Sequence, residues 1–188
     1  MSDNKEVGDG DKNRSGGAIY NLSNIAGKVS SPVIVDCLIF ENLAAEGGGI
    51  FNNSNNGTAT VIAKKCTFLK NKAVNAGGAI MDFGPKSNLN STFVNCKFIL
   101  NEAKFGGAFY TNKESNQKEV FENCNFVSNT SDFGAAGFLG SDSKSENVYG
   151  QNCSFKNNVS KTGSPVFIKG SKHQNQLKES IKPKSISL

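Results

Sequence analysis

The sequence predicts an all-β fold, a right-handed parallel β-helix of about five coils with roughly 29 residues per coil, on two observations. The first is a C-x-F-x-x-N run recurring at Cys37/Ile39/Asn42, Cys66/Phe68/Asn71, Cys96/Phe98/Asn101, Cys124/Phe126/Asn129 and Cys153/Phe155/Asn158, with cysteine spacings of 29, 30, 28 and 29. The second is a G-G-A-I run beginning at Gly16, Gly47, Gly77 and Gly106, then in eroded form at Ala135 and Gly163, at spacings of 31, 30, 29, 29 and 28. Two independent markers that keep one period mean a structural unit repeated and stacked as a solenoid.

The content of the repeat selects the kind of solenoid. No window between Gly16 and Gly170 carries the ten or so residues of 3.6-period apolar pattern that a helical repeat needs. Each unit instead holds short runs rich in Val, Ile and Phe between Asn, Gly, Ser and Lys clusters, which read as strands and turns. In the third unit these are Ser91–Val94, Cys96–Ile99 and Gly107–Tyr110, hence three strands per coil. The lack of a leucine framework excludes leucine-rich repeats, and propeller blades need units of about 40 residues or more.

Stacking turns each recurrent residue into a ladder, because equivalent positions in successive coils lie ~4.8 Å apart. Ile39, Phe68, Phe98, Phe126 and Phe155 are expected as one interior apolar ladder, and Ile19, Ile50, Ile80, Phe109 and Phe138 as another. Asn42, Asn71, Asn101, Asn129 and Asn158 are expected at a corner, where stacked amides bond each other and the turn backbone. The paired glycines suit a corner that needs positive φ or close backbone approach.

In chain order, residues 1–15 read as a polar, flexible leader, 16–170 as the β-helix, and 171–188 as a lysine-rich tail or cap. Coil length varies chiefly between the G-G-A-I strand and the strand before the cysteine, in loops such as Asn52–Gly57, Gly84–Asn90, Asn112–Lys118 and Ser141–Glu146. Such loops emerge from one side, where recognition usually lives. Net charge is +5, spread over the chain, and the one arginine, Arg14, lies in the leader. A nucleic-acid groove would want a denser basic stripe with interleaved aromatics, so no nucleic-acid partner is expected. No run of 18 apolar residues exists to span a membrane, and Met1–Lys12 lacks the apolar centre of a secretory signal.

The cysteines Cys37, Cys66, Cys96, Cys124 and Cys153 share one coil position and lack the local C-x-x-C or histidine spacing of a zinc site. They are expected as a ladder of free structural thiols, since in-register side chains run parallel with Cβ atoms near the strand spacing, too far apart for a disulfide. The one histidine, His173, lies in the tail. The acids Asp36, Glu41, Glu46, Asp82, Glu102, Asp132 and Asp142 share no coil position in adjacent units, which leaves no aligned carboxylates for lyase or hydrolase chemistry. No metal, cofactor or catalysis is therefore expected. A carbohydrate-active β-helix protein, an enzyme or a binder, is the alternative. Finally, Tyr20, Phe51, Met81, Tyr110, Leu139 and Phe167 follow the inward Ile/Phe ladder by one residue and so face the other way. They form a candidate binding stripe on the outside, unless the variable loops cover it.

Alternating G-G-A-I and F-x-x-N motifs over residues 16–158 resemble the chlamydial-type polymorphic outer membrane protein repeat. The first motif stands at Gly16–Ile19 and Gly77–Ile80, with near matches at Gly47–Ile50 and Gly106–Phe109. Its partner stands at Phe68/Asn71, Phe98/Asn101, Phe126/Asn129 and Phe155/Asn158. The resemblance implies a pectin-lyase-like right-handed β-helix in a surface-exposed or secreted protein, commonly an adhesin. Its partners would be host or cell-surface proteins or glycans, with end-to-end association or flanking domains capping the open sheet edges. Bacterial members carry a signal peptide and a translocator barrel, for which this sequence shows no counterpart.

Overall fold

The computed structural model describes residues 15–84, 90–113, 119–141, 148–162 and 166–168. Residues 1–14, the 171–188 tail with His173, and most of three of the variable loops lie outside the described residues. Within them the chain is a parallel β-solenoid, and the strands of every sheet belong to successive coils.

Each coil opens with a strand of a six-stranded sheet: Ile19–Leu22, Ile50–Asn53, Ile80–Gly84, Phe109–Lys113, Gly137–Ser141 and Val166–Ile168. A five-stranded sheet follows just before the cysteines (Val33–Val35, Ile62–Lys64, Thr92–Val94, Glu119–Glu122, Val148–Gln151). A second lies just after them (Leu38–Phe40, Thr67–Leu69, Lys97–Ile99, Asn125–Val127, Ser154–Lys156). A third follows the asparagines (Leu43–Glu46, Lys72–Ala76, Glu102–Phe105, Thr130–Phe133, Val159–Thr162). Val29–Ser30 and Thr58–Ala59 add a short parallel pair. The coil thus has four strands where the sequence predicts three. The extra one reads Lys-Ala-Val-Asn-Ala in its second copy, short of the β-branched and aromatic residues that announce a strand.

Corners between the sheets are made by left-handed residues. The residue before each cysteine (Asp36, Lys65, Asn95, Asn123, Asn152) and before each ladder asparagine (Glu41, Lys70, Leu100, Ser128, Asn157) has φ between 51 and 56°. The third corner is glycine, with Gly77 at φ 67°. Its neighbour Gly78 serves close approach, since a Cβ there would collide with Gly107 O and lie 2.6 Å from Glu102 O in the next coil.

The core is three ladders meeting in the middle. Ile39, Phe68, Phe98 and Phe126 are buried and in register, with Phe155 half-buried at the end. Their rings stack at 4.9 Å (Phe68–Phe98), 4.8 Å (Phe98–Phe126) and 5.0 Å (Phe126–Phe155). Ile34, Ala63, Phe93 and Phe121 line the second wall, with Phe93 and Phe121 stacked at 4.9 Å and edge-on to Phe98. Ile19, Ile50, Ile80 and Phe109 line the third. There the expected ladder is corrected at its end: Phe109 lies opposite Gly137, and Phe138 lies opposite Tyr110. Gly134 has a positive φ of 64°, as the first glycine of each earlier pair does (57–76°). The eroded motif therefore begins at Gly134, one residue before Ala135, and the strand Gly137–Ser141 that follows shifts by one, while Phe155 and Phe167 keep their expected places.

Candidate functional site

The stripe sits on the outer face of the six-stranded sheet. Tyr20, Phe51, Met81 and Tyr110 are in register, and the next members are Phe138 and Phe167. Leu139 is not one of them. It pairs with Thr111, two positions along the strand from the inward Phe109, for the same one-residue reason. Most of the stripe is covered. Phe51 and Met81 are 4% exposed and pack with Ala76, Phe83, Phe105 and Tyr110 into a second apolar cluster outside the main core. Phe83 lies two residues after Met81 on its own strand and so faces the same way. Phe105 reaches across from the sheet after the asparagines, stacks on Phe133 at 5.4 Å and meets Phe138 edge-on at 5.4 Å. Burial, and secondarily the charge of Glu46, push the Tyr110 phenol above its usual range. Tyr20, stacked on Phe51 at 5.5 Å, stays half-exposed at 49%.

The apolar residues left in solvent gather elsewhere. Among the described residues, Tyr20, Leu22, Ile25, Val29, Val33, Val35, Leu38 and Leu43 account for eight of the eleven exposed large hydrophobics, and all belong to the first coil. For Val35, Leu38 and Leu43 the register partners turn polar, whereas Tyr20 and Val33 are followed by Phe51 and Ile62. Val35 is followed by Lys64, Leu38 by Thr67 and Lys97, and Leu43 by Lys72 and Glu102. This girdle escapes a repeat-based reading because such a reading compares what coils share, and here the first coil differs.

The repeated polar residues are consumed by the stack. Asn71 Oδ1 accepts from Asn42 Nδ2 (2.8 Å), while Asn71 Nδ2 donates to Ile39 O (2.9 Å) and to Asn101 Oδ1 (3.1 Å). The same pattern runs through Asn101, Asn129 and Asn158. The five cysteines are free thiols. Cys66, Cys96 and Cys124 are buried and Cys37 and Cys153 half-buried, and each thiol points at the carbonyl two residues before it. Burial pushes the Cys66 thiol up to about 11, far from a reactive thiolate.

The acids fall into two groups. Glu41, Glu102 and Asp132 pair with Lys70 (3.1 Å), Lys72 (2.7 Å) and Lys161 (2.7 Å) across neighbouring coils on the outside. Such exposed pairs contribute little stability. Asp36 is exposed at its corner, Glu46 is half-buried beside Ser15, and Asp142 lies outside the described residues. Asp82 is different: two residues after the inward Ile80, it points into the solenoid and is fully buried. Asn52 Nδ2 donates to its Oδ1 at 2.6 Å, and Ser91 and Glu119 also hydrogen bond to it. Glu119, equally buried, accepts the Ser91 amide on Oε2 at 3.1 Å. Asp82 and Glu119 are 37 residues apart, far from one repeat period, because Asp82 lies before the variable loop and Glu119 after the next one. That separation hides the pair from a reading that looks for acids one period apart.

One segment, residues 65–81, matches the profile of the Chlamydia polymorphic membrane protein repeat. It runs from the corner residue Lys65 through Cys66, Phe68 and Asn71 to the G-G-A-I strand, and so takes in both recurrent motifs once. No curated protein and no solved structure matches the chain. Among the described residues no three His, Cys, Asp or Glu side chains converge to hold a metal ion, and no helix is long and apolar enough to cross a membrane.

Proposed function

We propose that this chain is a right-handed β-helix of about five coils acting as a non-catalytic, surface-exposed module that holds and presents a recognition surface. The observation that carries the reading is the division of labour between residues. The periodic Phe, Cys, Asn and Gly positions face the interior or close the corners, while exposed large apolar side chains gather on the first coil. Exposed apolar area of this kind marks contact with another macromolecule. The partner that fits is a protein or glycan at a cell surface, and the repeat match at residues 65–81 supports a surface or extracellular location. On the outside Glu41, Glu102 and Asp132 are paired with lysines, while Asp82 and Glu119 are buried inside, out of reach of a polysaccharide.

The test is retention on immobilised acidic and neutral polysaccharides and on whole-cell surface preparations, with Ca²⁺ present and bond cleavage scored in parallel. The combined variant Val33→Ser/Leu38→Ser should weaken retention about tenfold while leaving Tm nearly unchanged, since both side chains are exposed. Bond cleavage abolished by Asp82→Asn or Asp132→Asn would overturn the reading in favour of a lyase or hydrolase.

A further inference from the structure

Resting on the reading of the first-coil girdle as a contact surface, we propose that its partner is a second copy of this chain, met first coil to first coil. The outward ladders set how exposed an apolar side chain of this solenoid ordinarily is. Val33 is 59% exposed, while Ile62 and Val120, at the same ladder position in later coils, are half-buried. Val35 is 47% exposed, while Val94 on its ladder is half-buried. A side chain in the middle of the stack lies between two copies of its own position, each ~4.8 Å away, and they shield one another. The first-coil strands Ile19–Leu22, Val33–Val35, Leu38–Phe40 and Leu43–Glu46 each stand at the end of their sheet among the described residues. A layer of β-structure set against that end would bring the girdle to the exposure of the inner coils, and burial of apolar area drives such a contact.

The other end of the solenoid is finished for water. Along the same ladders Val35 gives way to Gln151, Leu38 to Ser154 and Phe40 to Lys156, all exposed in the last copy. Lysine and other polar side chains are the usual guard of a sheet end against pairing. Val159, 61% exposed in the place of Leu43, is the exception. The fourteen residues before Ser15 bring Met1 and Val7 as their only large apolar side chains, too few to cover eight. Another chain with an apolar end fits better, and a second copy carries one of matching outline.

Contact of one patch with itself is isologous and closes as a two-fold dimer, whereas contact of the first coil with the last would grow an open filament. Charge separates the two. The first coil carries Asp36, Glu41 and Glu46 against Lys28, and residues 148–162 carry Lys156 and Lys161 with no acid. A first-to-last contact would set acids near lysines and weaken as salt screens them. A first-to-first contact sets like charges near one another, so salt leaves it as strong or strengthens it.

The experiment is sedimentation velocity of the full chain from about 1 to about 200 μM, at about 50 and about 500 mM salt. The wild-type mass should double across the concentration range, go no further, and associate no more weakly in high salt. Val33→Ser/Val35→Ser should weaken association at least about tenfold, and Val159→Ser, at the other end, should follow the wild type. A readout on the wild type alone stands even if the double variant fails to fold. Alkylation of Cys37, half-buried at the first-coil end, should slow as the concentration rises, while that of Cys153 at the far end should not. A wild type still monomeric at the highest concentration would overturn the proposal, as would a dimer indifferent to Val33→Ser/Val35→Ser. So would assemblies larger than a dimer that high salt or Val159→Ser disperses. Retention on immobilised surfaces tells this failure from that of the wider reading. A monomeric wild type whose retention falls with Val33→Ser/Val35→Ser would leave the girdle a contact surface for a different partner, and unchanged retention would sink both.

Discussion

Replacing Phe98 with alanine should cost about 3–5 kcal/mol of unfolding free energy, the usual range for truncating a buried aromatic. Phe98 sits in the middle of its ladder, stacked on Phe68 at 4.9 Å and Phe126 at 4.8 Å, with Phe93 and Phe121 edge-on at 5.7 and 6.0 Å. Truncation removes contacts in two neighbouring coils at once, and a stack of strands held at fixed spacing has little freedom to collapse into the void. The neighbouring residue makes the control. Lys97 faces solvent on the same strand, so Lys97→Ala should change stability by under about 0.5 kcal/mol. Denaturant melts giving equal losses for the two would mean that the faces of this strand are reversed.

Asn101→Ala should cost about as much for a different reason. The Asn101 amide accepts from Asn71 N (2.9 Å) and Asn71 Nδ2 (3.1 Å), and donates to Phe68 O (3.0 Å) and Asn129 Oδ1 (3.0 Å). All these groups are buried, so each one orphaned costs about 1–3 kcal/mol, and the sum reaches several kcal/mol. Asn101→Asp keeps the acceptor and loses the donor, and adds a buried charge. It should therefore be at least as damaging at neutral pH and recover partly in acid, when the carboxyl is protonated. Thermal melts of the two variants at pH 4 and pH 7 check this. Equal losses for Asp at both pH values would show that the ladder is open to water.

How much of this was legible follows from what a repeat can reveal. The stacking, the parallel pairing, the Phe and Asn ladders and the interior position of the cysteines are all properties every coil shares, so the period alone exposes them. The glycine corner is legible, but the left-handed corners before the cysteines and the ladder asparagines are invisible because the residues that adopt them differ. Asn95 and Asn123 tolerate positive φ readily, but Lys70 and Leu100 carry no such signal, and tertiary hydrogen bonding imposes their conformation. The slip at Ala135 has a simple cause. Gly134 is followed by two alanines, and the inward ladder position falls on Gly137, where an apolar residue was the natural expectation. Whether the stripe is exposed or covered stayed open because alternation says only which face a side chain takes. Whether Phe105 and Phe133 reach over that face depends on the angle between two sheets, which no spacing encodes. The Asp82–Glu119 pair depends in the same way on how the variable loops return the chain to the stack.

The central claim is that identical positions are stacked in one file, so that a residue's environment depends on its place in the stack. The five cysteines are a built-in probe of this, one for each copy of the motif. Alkylation of the native protein, followed by peptide mapping, should label Cys37 and Cys153, the half-buried ends of the file. Cys153 should react first, because a hydrogen bond from Cys124 draws its thiol below the usual range. Cys66, Cys96 and Cys124 should remain unlabelled until the chain is unfolded, when all five react. Equal labelling of the five in the native protein, or a native mass lowered by disulfide formation, would contradict the stack.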